Sequence, residues 1–115
     1  MKYMLLFYAD ASDVPATPEE QAAIQANWGA LLREAKTAGV LESSGGLPSA
    51  TTTTVRVREG RTLTTDGPFA ETHEQLGGYF LLNCADLDEA IAWAAKVPFA
   101  QAGAVEIRPL WTPGS

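Results

Sequence analysis

The sequence predicts an α+β fold, with two helices on one face of a mostly antiparallel sheet. Three observations predict it. Two short runs, "KYMLLFYA" (2–9) and "GYFLLNC" (78–84), are nearly continuously apolar, as in strands buried on both faces. Two other segments combine capping signals with an apolar stripe of helical period. The order is strand, helix, strand, then a hairpin, then strand, helix, strand.

The first strand, Lys2–Ala9, runs into a polar loop, "ASDVPATPEE". That loop ends in a helix start. Thr17 is the N-cap, Pro18 takes the first helical position, and Glu20 completes a T-x-x-E capping box. Ile24, Trp28, Leu31, Ala35 and Ala38 form the apolar stripe, and Gly39 is the C-terminal cap. "VLESSGGLPSA" reads as a short strand or irregular piece. "TTTVRVREGRTLTT" reads as a hairpin turning at Glu59-Gly60, with Val55 and Val57 on a covered face and Arg56 and Arg58 on a wet one. After the second apolar strand, "DLDEAIAWAAKVP" gives a helix with Asp86 as N-cap and Glu89 three residues on. Its buried stripe is predicted as Leu87, Ala90, Ile91 and Ala94, and Pro98 stops it. "AVEIRPLW" (104–111) is the last strand, and Pro109 marks an edge or its end.

These elements suit a ferredoxin-like βαββαβ sandwich with an inserted hairpin, in which the two most apolar strands are central. The helices cover one sheet face only. The apolar character of the central strands on both faces therefore predicts a second cover, for which a second copy of the chain is the simplest candidate. The inserted hairpin and the "LESSGGLPSA" loop are the alternative cover.

The chain has 115 residues, which predicts one domain over residues 1–115. Its formal net charge of −6 argues against a nucleic-acid surface and against an anionic membrane. One cysteine, Cys84, excludes an internal disulfide and a cysteine-based zinc site. No apolar run is long enough to span a membrane, and the first strand is followed by no cleavage site, so the cytoplasm is the default location.

Asp66-Gly67-Pro68-Phe69, followed by "AETHEQLGGYFLL" and "DLDEAIAWAAKVP" and closed by "AVEIRPL", resembles the DGPF subgroup of the YCII-related family. "MKYMLLFY" and "LLREAKTAGVL" fit the same pattern, so the resemblance spans nearly the whole chain. It implies a ferredoxin-like fold paired into a dimeric α+β barrel, and it implies no settled activity. Such proteins are often encoded beside extracytoplasmic-function sigma factors, which makes a sigma factor a possible partner. Better-studied relatives carry a proposed His–Asp pair on the first helix. Aligned on Gly39, those positions are Trp28 and Thr37 in this chain, and neither transfers a proton.

Chemistry then falls to "TTDGPFAETHEQLGGYF" (64–80). The ordinary Asx-turn acceptor of Asp66 lies two residues on, at Pro68, which has no N–H. Asp66 is therefore either an anchor for its loop through another group or a carboxylate that binds or moves a proton. Gly67 lets the backbone pass close to a neighbour, and Phe69 plugs the core. His73 is the natural proton shuttle at neutral pH, flanked by Glu71 and Glu74. Asp66 and His73 are the candidate acid–base pair. Tyr8, Arg56, Phe69, Glu71, Tyr79 and Arg108 are the candidate ligand-binding residues: aromatics at a pocket rim, and arginines suited to a carboxylate. The acidic and histidine spacing matches no dedicated metal motif. The pairs Gly45-Gly46 and Gly77-Gly78 lack the spacing of a phosphate loop or dinucleotide fingerprint, so no cofactor is expected. They suit close backbone approach instead. The functional readings are an enzyme acting on a small organic acid or carbonyl compound, a ligand-sensing accessory protein tied to a sigma factor, and a dimeric scaffold.

Overall fold

The protein is described by a computed structural model covering residues 1–10, 17–47, 52–67, 74–98, 100 and 103–111. Its elements are β1 (Lys2–Asp10), α1 (Pro18–Thr37), β2 (Leu41–Gly46), β3 (Thr53–Arg58), β4 (Arg61–Asp66), β5 (Glu74–Asn83), α2 (Leu87–Ala94) and β6 (Ala104–Pro109). The main sheet has strand order β2-β5-β1-β6, antiparallel throughout, and β3 and β4 form a separate two-stranded hairpin. This α+β arrangement, with β5 inserted between β1 and β2, is compatible with a ferredoxin-like fold. The two strands predicted as central are central.

Local sequence explains both helices. The Thr17 hydroxyl accepts from Glu20 N–H at 3.1 Å, satisfying one of the free donors of the first turn. At the other end, Gly39 takes a φ of +75°. Its N–H donates to Lys36 O at 3.0 Å, and Val40 N–H donates to Ala35 O at 3.2 Å, the two bonds of a Schellman cap. In α2, Glu89 N–H donates to Asp86 Oδ1 at 2.9 Å, while the Glu89 carboxylate reaches back to Ala85 N–H at 3.0 Å.

The core lies between the helices and one sheet face. Tyr3, Leu5 and Phe7 of β1 alternate inward and meet Phe80 and Leu82 of β5, with Leu31 and Ala35 of α1 and Ala90 and Ala94 of α2 above them. Two expected stripes shift. Ala38 is exposed, and Leu32 packs on the core in its place. Leu87 and Ile91 are also exposed, at 48% each, because the eight-residue α2 turns Ala90 and Ala94 inward and Trp93 packs beside them. Val97, just past α2, is fully buried.

The opposite sheet face carries Met4, Leu6 and Tyr8 of β1 with Leu81 and Tyr79 of β5, all half-buried. No helix or strand among the described residues covers it. The hairpin does not, because β3 and β4 are exposed on both of their faces apart from half-buried Thr54. Val55, Val57 and Leu63 stand in water at 58%, 59% and 48% exposure. The predicted covered valine face is therefore bare in the single chain. The radius of gyration, 16.2 Å, exceeds the roughly 13 Å of a compact domain this long, as a projecting arm requires.

Candidate functional site

A cavity of about 300 Å³ opens between α1 and the β2–β5 side of the sheet. Its floor is aromatic. Phe7 from β1, Trp28 from α1 and Phe80 from β5 pack with ring centroids 5.0 to 5.7 Å apart, edge-on or tilted. Leu32 of α1 continues the apolar wall. The remaining lining is small: Ser44, Gly45 and Gly46 on β2 and Gly77 and Gly78 on β5.

The two glycine pairs explain why space exists there. Gly46 pairs with Gly78 across the β2–β5 ladder, and Gly45 pairs with Tyr79. A Cβ on Gly78 would sit 2.9 Å from Gly45 O and 3.3 Å from Phe7 Cδ2, so the approach here depends on glycine at 78, whereas a Cβ on Gly46 would meet no atom within 4 Å. Gly77 is the extra residue of a bulge, because Phe7 faces Gly78 while Tyr8 faces Leu76. Leu47 N–H, just past β2, donates to Gly77 O at 3.0 Å.

Among the described residues, ionisable groups stay out of this wall. All eight lysines and arginines of the sequence are among the described residues, and none lines the cavity. No Asp, Glu or His among the described residues lines it either. Among the described lining residues Ser44 contributes the only side-chain hydroxyl, and that hydroxyl has no hydrogen-bond partner among the described residues. The arrangement suits holding an apolar body with one polar handle, and it supplies no acid or base from these residues.

The candidate residues named from sequence fall in several places. Asp66 ends β4 opposite Thr53, exposed, and does not line the cavity. Gly67 after it has a φ of +102° with no atom within 4 Å of an added Cβ. Its glycine therefore serves backbone conformation, whereas the expected reason was close approach. Gly67 N–H donates to Thr52 O at 2.8 Å, and Thr54 Oγ1 donates to Gly67 O at 2.8 Å, which clamps the exit of the hairpin to its entry. Phe69, Glu71 and His73 lie outside the described residues, as does the side chain of Glu74. Arg56 is an exposed residue of β3, away from the cavity lining.

Tyr8, Tyr79 and Arg108 lie on the other sheet face, Tyr79 toward β2 and Arg108 on β6. The Tyr79 hydroxyl lies 3.2 Å from the Ser43 hydroxyl, and its ring lies over Gly45, where a Cβ would meet Cε1 at 2.8 Å. Arg108 Nε donates to Glu106 Oε1 at 2.6 Å along the same strand face. That hydrogen bond raises the Arg108 pKa, with the Glu106 charge adding to it. The arginine is thus committed to its neighbour. Cys84 is buried, and burial pushes its thiol pKa up, as for an unreactive core cysteine. Among the described residues, no cluster of three or more His, Cys, Asp or Glu side chains is placed to hold a metal ion. None of the described helices is long and apolar enough to cross a membrane.

The model of the YCII-related domain matches residues 1–112. The chain belongs to the YCII-related family. An uncharacterized protein of Rhizobium meliloti (strain 1021) is 40% identical to this YCII-related chain over 114 residues, covering 96% of it and 92% of the relative.

The lining residues of this YCII-related domain were not singled out as a site by sequence, with two partial signals. The glycine pairs stood out as places of close approach, and they prove to be neighbours. Trp28 stood out as the position matched to a relative's histidine, and it forms the α1 wall.

Proposed function

We propose that the protein is a homodimer that binds a small, mainly apolar organic molecule between α1 and the β2–β5 side of the sheet. The cavity carries this reading. It is about 300 Å³ with an aromatic floor, within the range of small-molecule sites and about twice the size of a cavity that holds a benzene ring. Binding is favoured over proton transfer, because no ionisable side chain among the described residues lines it. Acid–base work by Asp66 and His73 would need a ligand that extends from this cavity to the DGPF segment. The reading includes the DGPF subgroup within the family, on the Asp66–Phe69 motif.

Two observations support the dimer. The sheet face opposite the helices is apolar and bare among the described residues. The hairpin stands clear with Val55, Val57 and Leu63 exposed, although an isolated two-stranded hairpin is marginal in water. Pairing through the open face would complete an α+β barrel and give the hairpin a surface.

Two measurements test this. Light scattering after gel filtration should give twice the 12.2 kDa chain mass, and Val57→Asp should lower it. A monomer at micromolar concentration sinks the dimer. Titration of uniformly ¹⁵N-labelled protein with small aromatic compounds should shift the amides of Gly45, Gly46, Gly77 and Gly78. Unmoved glycine amides at millimolar ligand sink the binding site.

A further inference from the structure

Resting on that reading of the cavity, we infer that the site selects an uncharged aromatic ligand and rejects its anionic counterpart, with the Ser44 hydroxyl as the group that recognises the ligand's one polar handle. Of the two substrate classes the sequence suggests, a small organic acid or a carbonyl compound, this disfavours the acid.

A carboxylate or phosphate ligand needs a cation or several converging donors once it leaves water. Every Lys and Arg of the sequence has a known place, and none is in the cavity wall. Of the two arginines nominated from sequence, Arg56 is exposed on β3 and does not line the cavity. Arg108 is bonded to Glu106, and Arg58 donates to Val57 O at 3.0 Å on the exposed hairpin. Two other groups can carry positive charge near neutral pH: the Met1 α-ammonium, which donates to Cys84 O at 2.9 Å away from the cavity lining, and His73, itself set between Glu71 and Glu74 in sequence. The net charge of −6 adds a repulsive field for an anion.

On its inner edge the β2 backbone is committed to β5. The Gly77 carbonyl accepts from Leu47 N–H, and β2 and β5 are laddered to each other across the glycine pairs. That leaves the Ser44 hydroxyl, exposed and without a partner among the described residues, as the side chain able to donate to or accept from a ligand. A flat ring system would lie against Phe7, Trp28 and Phe80, which give area and little polarity. A hydroxyl, carbonyl or amide on that ring would meet Ser44.

Isosteric probes separate charge from shape. Indole-3-carboxamide and indole-3-carboxylate share a ring and an outline, and only the second is an anion at pH 7. Both are titrated by calorimetry and by glycine amide shifts into the full-length protein and into Ser44→Ala, an exposed change with no core contact to lose. The amide should bind with shifts at Gly45, Gly46, Gly77 and Gly78, and the carboxylate should bind at least about tenfold more weakly, the cost of an unpaired charge in an apolar site. Ser44→Ala should weaken the amide about three- to tenfold, one hydrogen bond's worth, and leave the melting temperature unchanged. Equal or tighter binding of the carboxylate at the same glycines overturns the charge selection and leaves the cavity reading standing. An unchanged affinity in Ser44→Ala overturns the role given to that hydroxyl. If neither probe moves the glycine amides, the cavity reading falls and this inference falls with it.

Discussion

Gly78→Ala and Gly46→Ala are the same chemical change on two residues that face each other across β2 and β5, and they should differ in sign. At Gly78 the new methyl would lie 2.9 Å from Gly45 O, 3.3 Å from Phe7 Cδ2 and 3.7 Å from Gly46 Cα. The carbonyl is part of the ladder and cannot swing away, so β2 must part from β5 or Phe7 must leave its edge-on contact with Phe80. Overpacking of this kind costs about 1–3 kcal/mol. At Gly46 no atom lies within 4 Å of the added carbon, and φ is not positive. There the gain from a less flexible unfolded chain, about 0.5–1 kcal/mol, is unopposed. That backbone gain is common to both variants, so their difference isolates the clash at about 1–3 kcal/mol. At roughly 4 °C per kcal/mol for a domain this size, the melting temperatures should differ by about 4–12 °C, Gly46→Ala being the higher. Urea unfolding followed by circular dichroism gives the same quantity with the slope as a check. Because Gly46 lines the cavity, Gly46→Ala should also weaken ligand binding while holding or raising stability. Melting temperatures within about 2 °C of each other would refute the claim that Gly78 is required for close strand approach.

Further predictions concern the helices and the thiol. Thr17→Ala and Asp86→Ala each remove a side-chain acceptor for a first-turn N–H and should each cost about 1 kcal/mol in urea unfolding, additively, since they cap different helices. Cys84 should react with a thiol reagent at pH 8 only on unfolding, because burial both covers it and keeps it protonated. Its folded pKa lies above its unfolded value near 9.0, so its contribution to stability is complete below pH 9 and is lost as pH rises through the folded value. Stability measured from pH 8 upward should therefore fall more steeply in the native chain than in Cys84→Ala.

Most of the fold was legible because local and global signals agree. Thr17, Pro18 and Glu20 state where α1 begins, and Gly39 states where it ends. The apolar runs of β1 and β5 mark the centre of the sheet. Less was legible where the outcome depends on packing geometry. Leu87 and Ile91 fit a helical stripe as well as Ala90 and Ala94 do, and only the close approach of α2 to the sheet decides that alanines go inward. The valines of β3 alternate with arginines as on a half-covered strand, yet both valines are exposed, because alternation says nothing of what packs on a face. The cavity was the least legible feature. Its wall comes from four separate segments, and its defining property is a lack of side chains at Gly45, Gly46, Gly77 and Gly78. Polar residue types drew attention to residues 64–80, and the cavity uses only Gly77, Gly78 and Phe80 of that segment, the aromatic and small residues at its end.

Trp28 joins these threads. The relatives' proposed His–Asp pair maps by resemblance to Trp28 and Thr37, which are nine residues apart on α1. Nine residues turn a helix by two and a half turns, so the two positions lie on opposite faces and about 13 Å apart along the axis. The structure agrees, with Trp28 half-buried in the cavity wall and Thr37 exposed. Restoring the imidazole alone should therefore restore no acid–base pair. In a His73→Gln background, Trp28→His should lose the ring contacts with Phe7 and Phe80 and cost about 1–3 kcal/mol, less than the loss of a fully buried tryptophan. The new histidine should titrate by NMR at or below its ordinary value near ~6.5, since its surroundings are apolar and no described carboxylate faces it. A value raised above about 7 would mean that a carboxylate reaches the cavity. It would also remove the ground for an uncharged ligand, because a site with an acid in its wall is built for a cation or for proton transfer.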